Sequence, residues 1–332
     1  MSILRRLRGR AYARVDLTFS IFTGKMQMFY DRVPCPYCRK TENGIGEDGI
    51  GRMWNFTKMH GCGNDYVYFD CTKEALPNAS EAAVFMSDRN TGIGGDGIIL
   101  IKSSACADFY MEMYNLDGSQ GRMCGNGIRC VGKFVYDKGL TDKTDITVET
   151  LSGVKKLHLA VKDGFVYEVT VDMGHPSVQP ADLPLVSDEP AIARPIVLDG
   201  QEFEFTAVSM GNPHAVIPVA ATADFAVERF GRVLEHAPIF PEGVNTEFVE
   251  VLGRNEVNMR VWERGSGETK ACGTGACATA YACRLLGLTD DEVTVHLLGG
   301  DLRIVYDSEN DTVFMTGPAV TVFEGTINWP AV

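Results

Sequence analysis

The stretches Met123-Cys124-Gly125-Asn126-Gly127 and Ala271-Cys272-Gly273-Thr274-Gly275 answer each other across the chain. Their cysteines lie 148 residues apart. The same offset places Gly139-Leu140-Thr141-Asp142 on Gly287-Leu288-Thr289-Asp290, and Gly63-Asn64 on Gly211-Asn212. It also places Tyr114-Asn115 on Trp262-Glu263 and Gly95-Asp96-Gly97 on Gly243-Val244-Asn245. Similarity at one long period, present in two copies, indicates a duplicated domain and not a solenoid. Each half then carries one Cys-Gly-x-Gly.

Both cysteines sit where a helix starts. Ile128, Val131, Phe134 and Val135 follow Cys124 at helical spacing and stop at Lys138-Gly139. Ala276, Ala280, Tyr281 and Cys283 follow Cys272 and stop at Gly287. A thiol at a helix N-terminus meets unpaired N–H groups and the macrodipole, so a stabilised thiolate is expected at both. The glycines let the backbone approach a bound anion. With the halves packed about a pseudo-twofold axis, two thiols face one cleft from opposite sides. That arrangement suits removing a proton from one face of a carbon and returning one to the other.

Composition narrows the classes. The length of 332 residues favours two domains. No apolar run approaches the ~18 residues of a membrane span. A net charge of −13 argues against nucleic acid as a partner. Ten cysteines, none on a secreted-scaffold spacing, point to a reducing compartment, so a cytoplasmic location is expected. No serine nucleophile elbow appears, His236 has no second histidine four residues on, and the Gly-x-Gly stretches lack a phosphate-loop lysine. No metal and no cofactor is expected.

Local patterning supplies the rest. Trp54–Met59 reads as a strand leading into Gly61-Cys62-Gly63-Asn64, and Ser80 as the cap of a helix over 81–89. Strands are expected over 98–101 and 109–114, the latter delivering Asn115. A hairpin turns at Asp163-Gly164 and is repeated around 302–315. The proline-rich stretch 172–200 reads as the linker. In the second half a strand over 203–208, a helix over 224–234 and a strand over 257–262 delivering Glu263 and Arg264 repeat the plan.

The motifs MCGNGIRC, ACGTGACA, MHGCGNDY at Met59–Tyr66, GNPH at Gly211–His214 and ERGSGETKACGTG at Glu263–Gly275 strongly resemble the diaminopimelate epimerase family. The resemblance runs from about Met53 to the C-terminus. It implies an α+β fold of two pseudo-symmetric duplicated domains, each a mostly antiparallel, barrel-like sheet around a central helix, with the active site in the cleft between them. It implies residues 53–172 as the first half, 173–318 as the second, and a last strand over 319–332 crossing back to the first. It implies a cofactor-independent isomerase that interconverts LL- and meso-2,6-diaminopimelate, acts on a free amino acid and forms a homodimer. Cys124 and Cys272 match the family's acid/bases, and His214 and Glu263 the positions that assist them. Asn64, Asn115, Asn212, Asn245, Glu263 and Arg264 match positions that hold the substrate's ends. Gly125, Asn126, Gly273 and Thr274 offer N–H groups to the α-carboxylate.

Two other readings stand beside this one. A sister racemase of another free amino acid, such as proline or histidine, would share the fold; proline racemases tend to carry His where Asn126 stands. A non-enzymatic thiol or zinc protein would be built on Cys35-Pro-Tyr-Cys38, which resembles a glutaredoxin site but has no second Cys-x-x-Cys to complete four ligands. That pair lies in residues 1–52, which carry ten basic and five acidic residues, a net +5, and leave −18 for the remainder. The segment reads as an extension or a mis-assigned start.

Overall fold

The computed structural model describes residues 52–330. The Cys35/Cys38 pair and the expected extension lie outside the described residues, Arg52 excepted. Four helices of at least two turns occur among them: α1 (Ala79–Ser87), α2 (Gly125–Asp137), α3 (Val227–Glu235) and α4 (Gly273–Leu285). Shifting α1 and α2 by 148 residues reproduces both ends of α3 and α4.

The sheet repeats at the same offset. Asn64–Asp70 runs parallel to Gly97–Lys102 with Tyr66 opposite Gly97, and Pro213–Pro218 runs parallel to Asn245–Gly253 with His214 opposite Asn245. Most other pairings are antiparallel, among them the hairpin Gly153–Lys162/Phe165–Gly174 and its counterpart Gly300–Asp307/Thr312–Pro318. All eighteen strands join in one continuous hydrogen-bonded sheet that curls about the two long helices. Thr312–Pro318 pairs with Phe165–Gly174 across the halves. Val320–Trp329 then pairs along Arg52–Gly61, the longest seam in the sheet.

Each long helix is a core element of its half. In α2, Ile128, Cys130, Val131, Phe134 and Val135 are buried against the strands Phe165–Gly174 and Arg52–Gly61. Burying such a side chain contributes about 2 kcal/mol. α4 buries small residues on nearly every side, Ala276, Cys277, Ala278, Ala280, Ala282 and Cys283, as a helix enclosed by sheet must. The apolar residues of both helices belong to one continuous core cluster, while α1 and α3 cover two smaller ones.

One local expectation fails. Ser80 lies inside α1 and does not cap it; its hydroxyl donates to the Gly118 carbonyl at 2.7 Å. Asn78 starts the helix in a left-handed conformation, without a side-chain cap. α3 begins at Val227, three residues later than its pattern suggests.

Candidate active site

Cys124 and Cys272 are the N-caps of α2 and α4. Each sulfur accepts the N–H of the third residue onward, Gly127 at 3.3 Å and Gly275 at 3.4 Å. The two helix starts abut at Gly125 and Gly273. A Cβ on Gly273 would lie 3.6 Å from the Gly125 Cα, and one on Gly125 3.7 Å from the Gly273 Cα. Both would also crowd Met315, which lies against the two glycines. Glycine at both positions lets two helix N-termini, with their unpaired N–H groups, converge on one point without displacing Met315.

These starts open into a cleft of ≈ 1530 Å³. Cys124, Cys272, Gly125, Asn126, Gly273 and Thr274 line it, with Asn64, Asn115, Asn212 and Glu263. The Cys124 thiol donates to Asn64 Oδ1 at 3.1 Å. Asn126 ties the helix starts together by donating to the Ala271 carbonyl at 3.1 Å. Asn115 donates to Ser119 Oγ at 3.0 Å at the rim.

Three expected residues lie off the cleft wall. His214 is fully buried behind Asn212, its Nε2 3.1 Å from Asn212 Oδ1. Asn245 is spent on the backbone: it donates to the Pro213 carbonyl at 2.8 Å and accepts the Arg264 N–H at 3.0 Å. The Arg264 side chain is exposed and donates to the Glu242 carbonyl at 2.9 Å. Here Asn245 shapes the loop that carries Glu263 and Arg264, and the Arg264 guanidinium is held by Glu242 off the cleft wall.

The expected stabilised thiolates are corrected by burial. Desolvation pushes the Cys124 thiol up, opposed by the N–H groups of Gly127 and Asn126 and reinforced by the Glu263 carboxylate. Cys272 is pushed well up by burial, then by Glu263 and Glu247, against Thr274 and the Gly275 N–H. Low-dielectric surroundings and neighbouring acid, one beside Cys124 and two beside Cys272, outweigh a helix terminus. Both cysteines therefore rest as thiols. Burial also raises Glu263, opposed by its hydrogen bond from Thr269 and reinforced by Glu247, which makes it a stronger base than an exposed carboxylate.

Two buried charged residues escaped the sequence reading. Glu247, fully buried, sits 2.7 Å from His214 Nδ1. Its signal was an acid inside the buried run Thr246–Val249, two residues after Asn245. Arg129, also fully buried, donates to the Pro318 and Gly125 carbonyls, both at 3.2 Å, and to Asn126 Oδ1 at 3.0 Å. Its signal was a cation on the buried side of α2. The nitrogen, oxygen and sulfur donors of His214, Glu247 and Cys272 lie within 4.8 Å of one another, the only such grouping among the described residues. Their donor types would suit a thiophilic cation. His214 Nδ1 and Glu247 Oε1 are already paired, however, which suits proton handling.

A model of the diaminopimelate epimerase family matches residues 56–179 and 206–322. The diaminopimelate epimerase of Acetivibrio thermocellus is 54% identical over 274 residues, covering 82% of this chain and 98% of its own length. That of Methanococcus maripaludis is 50% identical over 274 residues, covering 82% and 99%. Among solved structures, a hydroxyproline epimerase from Agrobacterium vitis is similar with a TM-score of 0.61 at 16% identity, over 84% of this chain and 93% of its own. A phenazine biosynthesis protein of the PhzF family from Bacillus anthracis matches with a TM-score of 0.61 at 19% identity, over 83% and 99%. At such identities these two show a shared fold alone.

Proposed function

The chain belongs to the diaminopimelate epimerase family, and on that premise we propose that it interconverts LL- and meso-2,6-diaminopimelate by moving one α-proton between two cysteines. It is an isomerase serving lysine and peptidoglycan precursor synthesis. The observation that carries the mechanism is the pair of cysteine N-caps on two abutting, repeat-related helix starts at one cleft.

The substrate α-carboxylate binds where α2 and α4 converge, accepting N–H groups of Gly125-Asn126 and Gly273-Thr274. These dipoles are fixed before the reaction and absorb the charge that develops as the α-carbon loses its proton. One cysteine must be ionised and the other protonated in each bound form. Glu263, raised by burial and beside Cys272, is placed to take the Cys272 proton. The Cys272 thiolate then abstracts from one face while Cys124, held as a thiol against Asn64, donates to the other. The reverse direction exchanges the roles. Asn64, Asn115 and Asn212 hold the polar ends of the substrate, and Arg264, swung from Glu242, takes the distal carboxylate bidentately. No step calls for a metal or an electron-sink cofactor.

The same proposal includes a first half over 53–172, a second over 173–318, a homodimer and a cytoplasmic location. Eight reduced cysteines among the described residues fit a reducing compartment. The assembly is checked by light scattering. The sister-racemase reading loses ground because relatives at 50% identity or more over nearly their full length are diaminopimelate epimerases. A coupled assay of LL- to meso-diaminopimelate conversion tests the function. Turnover of proline or histidine with none of diaminopimelate would replace the substrate assignment.

A further inference from the structure

The two halves differ most behind their cysteines. Under the 148-residue offset, Tyr66 occupies the place of His214, Ile99 that of Glu247 and Asn115 that of Glu263. The first half therefore backs Cys124 with a phenol, an alkyl chain and an amide. The second half backs Cys272 with an imidazole and two carboxylates. Burying a carboxylate is costly, and only one copy of the repeat does so at this position.

The geometry of this pair is directional. Glu247 Oε1 lies 2.7 Å from His214 Nδ1, and His214 Nε2 lies 3.1 Å from Asn212 Oδ1. Asn212 Nδ2 donates to Thr274 Oγ1 at 3.3 Å, and Thr274 Oγ1 lies 3.5 Å from Cys272 Sγ. Glu247 and His214 are fully buried, and the second Glu247 oxygen has no partner. A Cβ on Gly275 would come within 2.6 Å of Glu247 Oε1, so the α4 start is shaped around this carboxylate. An amide oxygen only accepts, so His214 Nε2 turns its hydrogen to Asn212, while Glu247 Oε1 holds the other side of the ring at Nδ1.

We propose that Glu247 is a positioning residue that, by holding the His214 ring at Nδ1, fixes the amide of Asn212 with its oxygen inward and its N–H₂ toward Thr274 and the cleft. Without Glu247 the ring loses its Nδ1 partner and turns, and the Asn212 amide is released to rotate. Asn212 then presents oxygen where it presented a donor, and the Thr274 hydroxyl beside Cys272 turns with it. The inference rests on the epimerase reading only for the statement that Asn212 meets substrate. The charged and titratable groups around the pair are Cys272 on α4, Glu263 on Glu256–Glu263 and His214 itself on Pro213–Pro218.

The test is Glu247→Leu, which removes the Nδ1 partner at similar volume. kcat/KM should fall at least ~10-fold, most of it in KM, because a donor to the substrate is lost. Adding E247L to Asn212→Ser should cost nothing further, since the relay is already cut. In the native enzyme the ¹⁵N spectrum of His214 should show a hydrogen on Nε2. A native Nε2 without a hydrogen overturns the proposal, and does so even if E247L fails to fold. Independent, multiplying losses in the double variant also overturn it. The spectrum needs no substrate, so a chain that ignores diaminopimelate but shows the signature would defeat the functional reading and leave the relay standing.

Discussion

At the scale of residues, the chemistry depends on how much free energy separates a thiol from a thiolate in a buried site. A free thiol ionises near pH ~8.5, and burial moves both cysteines up, with Glu263 beside each and Glu247 beside Cys272 as well. In the proposed mechanism the Cys272 proton therefore passes to Glu263. Replacing Cys124 or Cys272 with alanine should lower kcat at least ~10³-fold in both directions, measured with each isomer, because each direction uses a base and an acid. Arg129 works from beneath. Its donors go to carbonyls, an amide and sulfurs, with no carboxylate partner among the described residues. Its charge lowers Cys124. Arg129→Met should thus shift alkylation of Cys124 to higher pH while the chain stays folded by circular dichroism; an unshifted profile would remove Arg129 from the electrostatics.

At the scale of elements, the convergence of α2 and α4 was legible because a glycine-flanked cysteine before an apolar helical pattern has few structural meanings. The repeat offset relates the helix boundaries of the two halves once the structure fixes them, whereas the pattern alone put the α3 start near Asp224. The side-chain network behind Cys272 was not legible. Glu247 and Arg129 look like surface charges until the packing that buries them is known, and the offset hides them by pairing them with Ile99 and Cys277. Ser80 misled for a related reason, since a hydroxyl before a helical pattern can serve a neighbouring loop as well as a cap. The packing of Gly275 on Glu247 gives a test at this scale. Gly275→Ala should cut activity at least ~10-fold by displacing the carboxylate from His214, read by steady-state kinetics alongside a melting curve. Activity at the native level would mean that Glu247 yields without consequence.

At the scale of the whole molecule, two halves share one sheet, and Val320–Trp329 seals the second to the first along Arg52–Gly61. Deleting residues 1–51 should leave turnover unchanged, because every site residue and that seam lie beyond them; a soluble but inactive truncation would place part of the site in the deleted segment. Buried thiols set an alkaline limit to stability. Burial pushes Cys130 up to about 11, and Cys277 and Cys283 to about 12. In the unfolded chain these ionise near pH ~8.5. Their folded values are raised, so their contribution is complete below that pH and lost as pH rises through about 11–12, at roughly 1.4 kcal/mol per unit per thiol. The urea midpoint should fall steeply above about pH 9 and fall less in Cys283→Ala. The claim that both halves act on one carbon is tested most directly by running the reaction in deuterated water and stopping it at early turnover. The product isomer should carry deuterium from its first appearance, while the recovered starting isomer stays protiated, because the abstracted proton sits on the thiol of the opposite face. Deuterium entering the unconverted isomer as fast as product forms would contradict the two-thiol account.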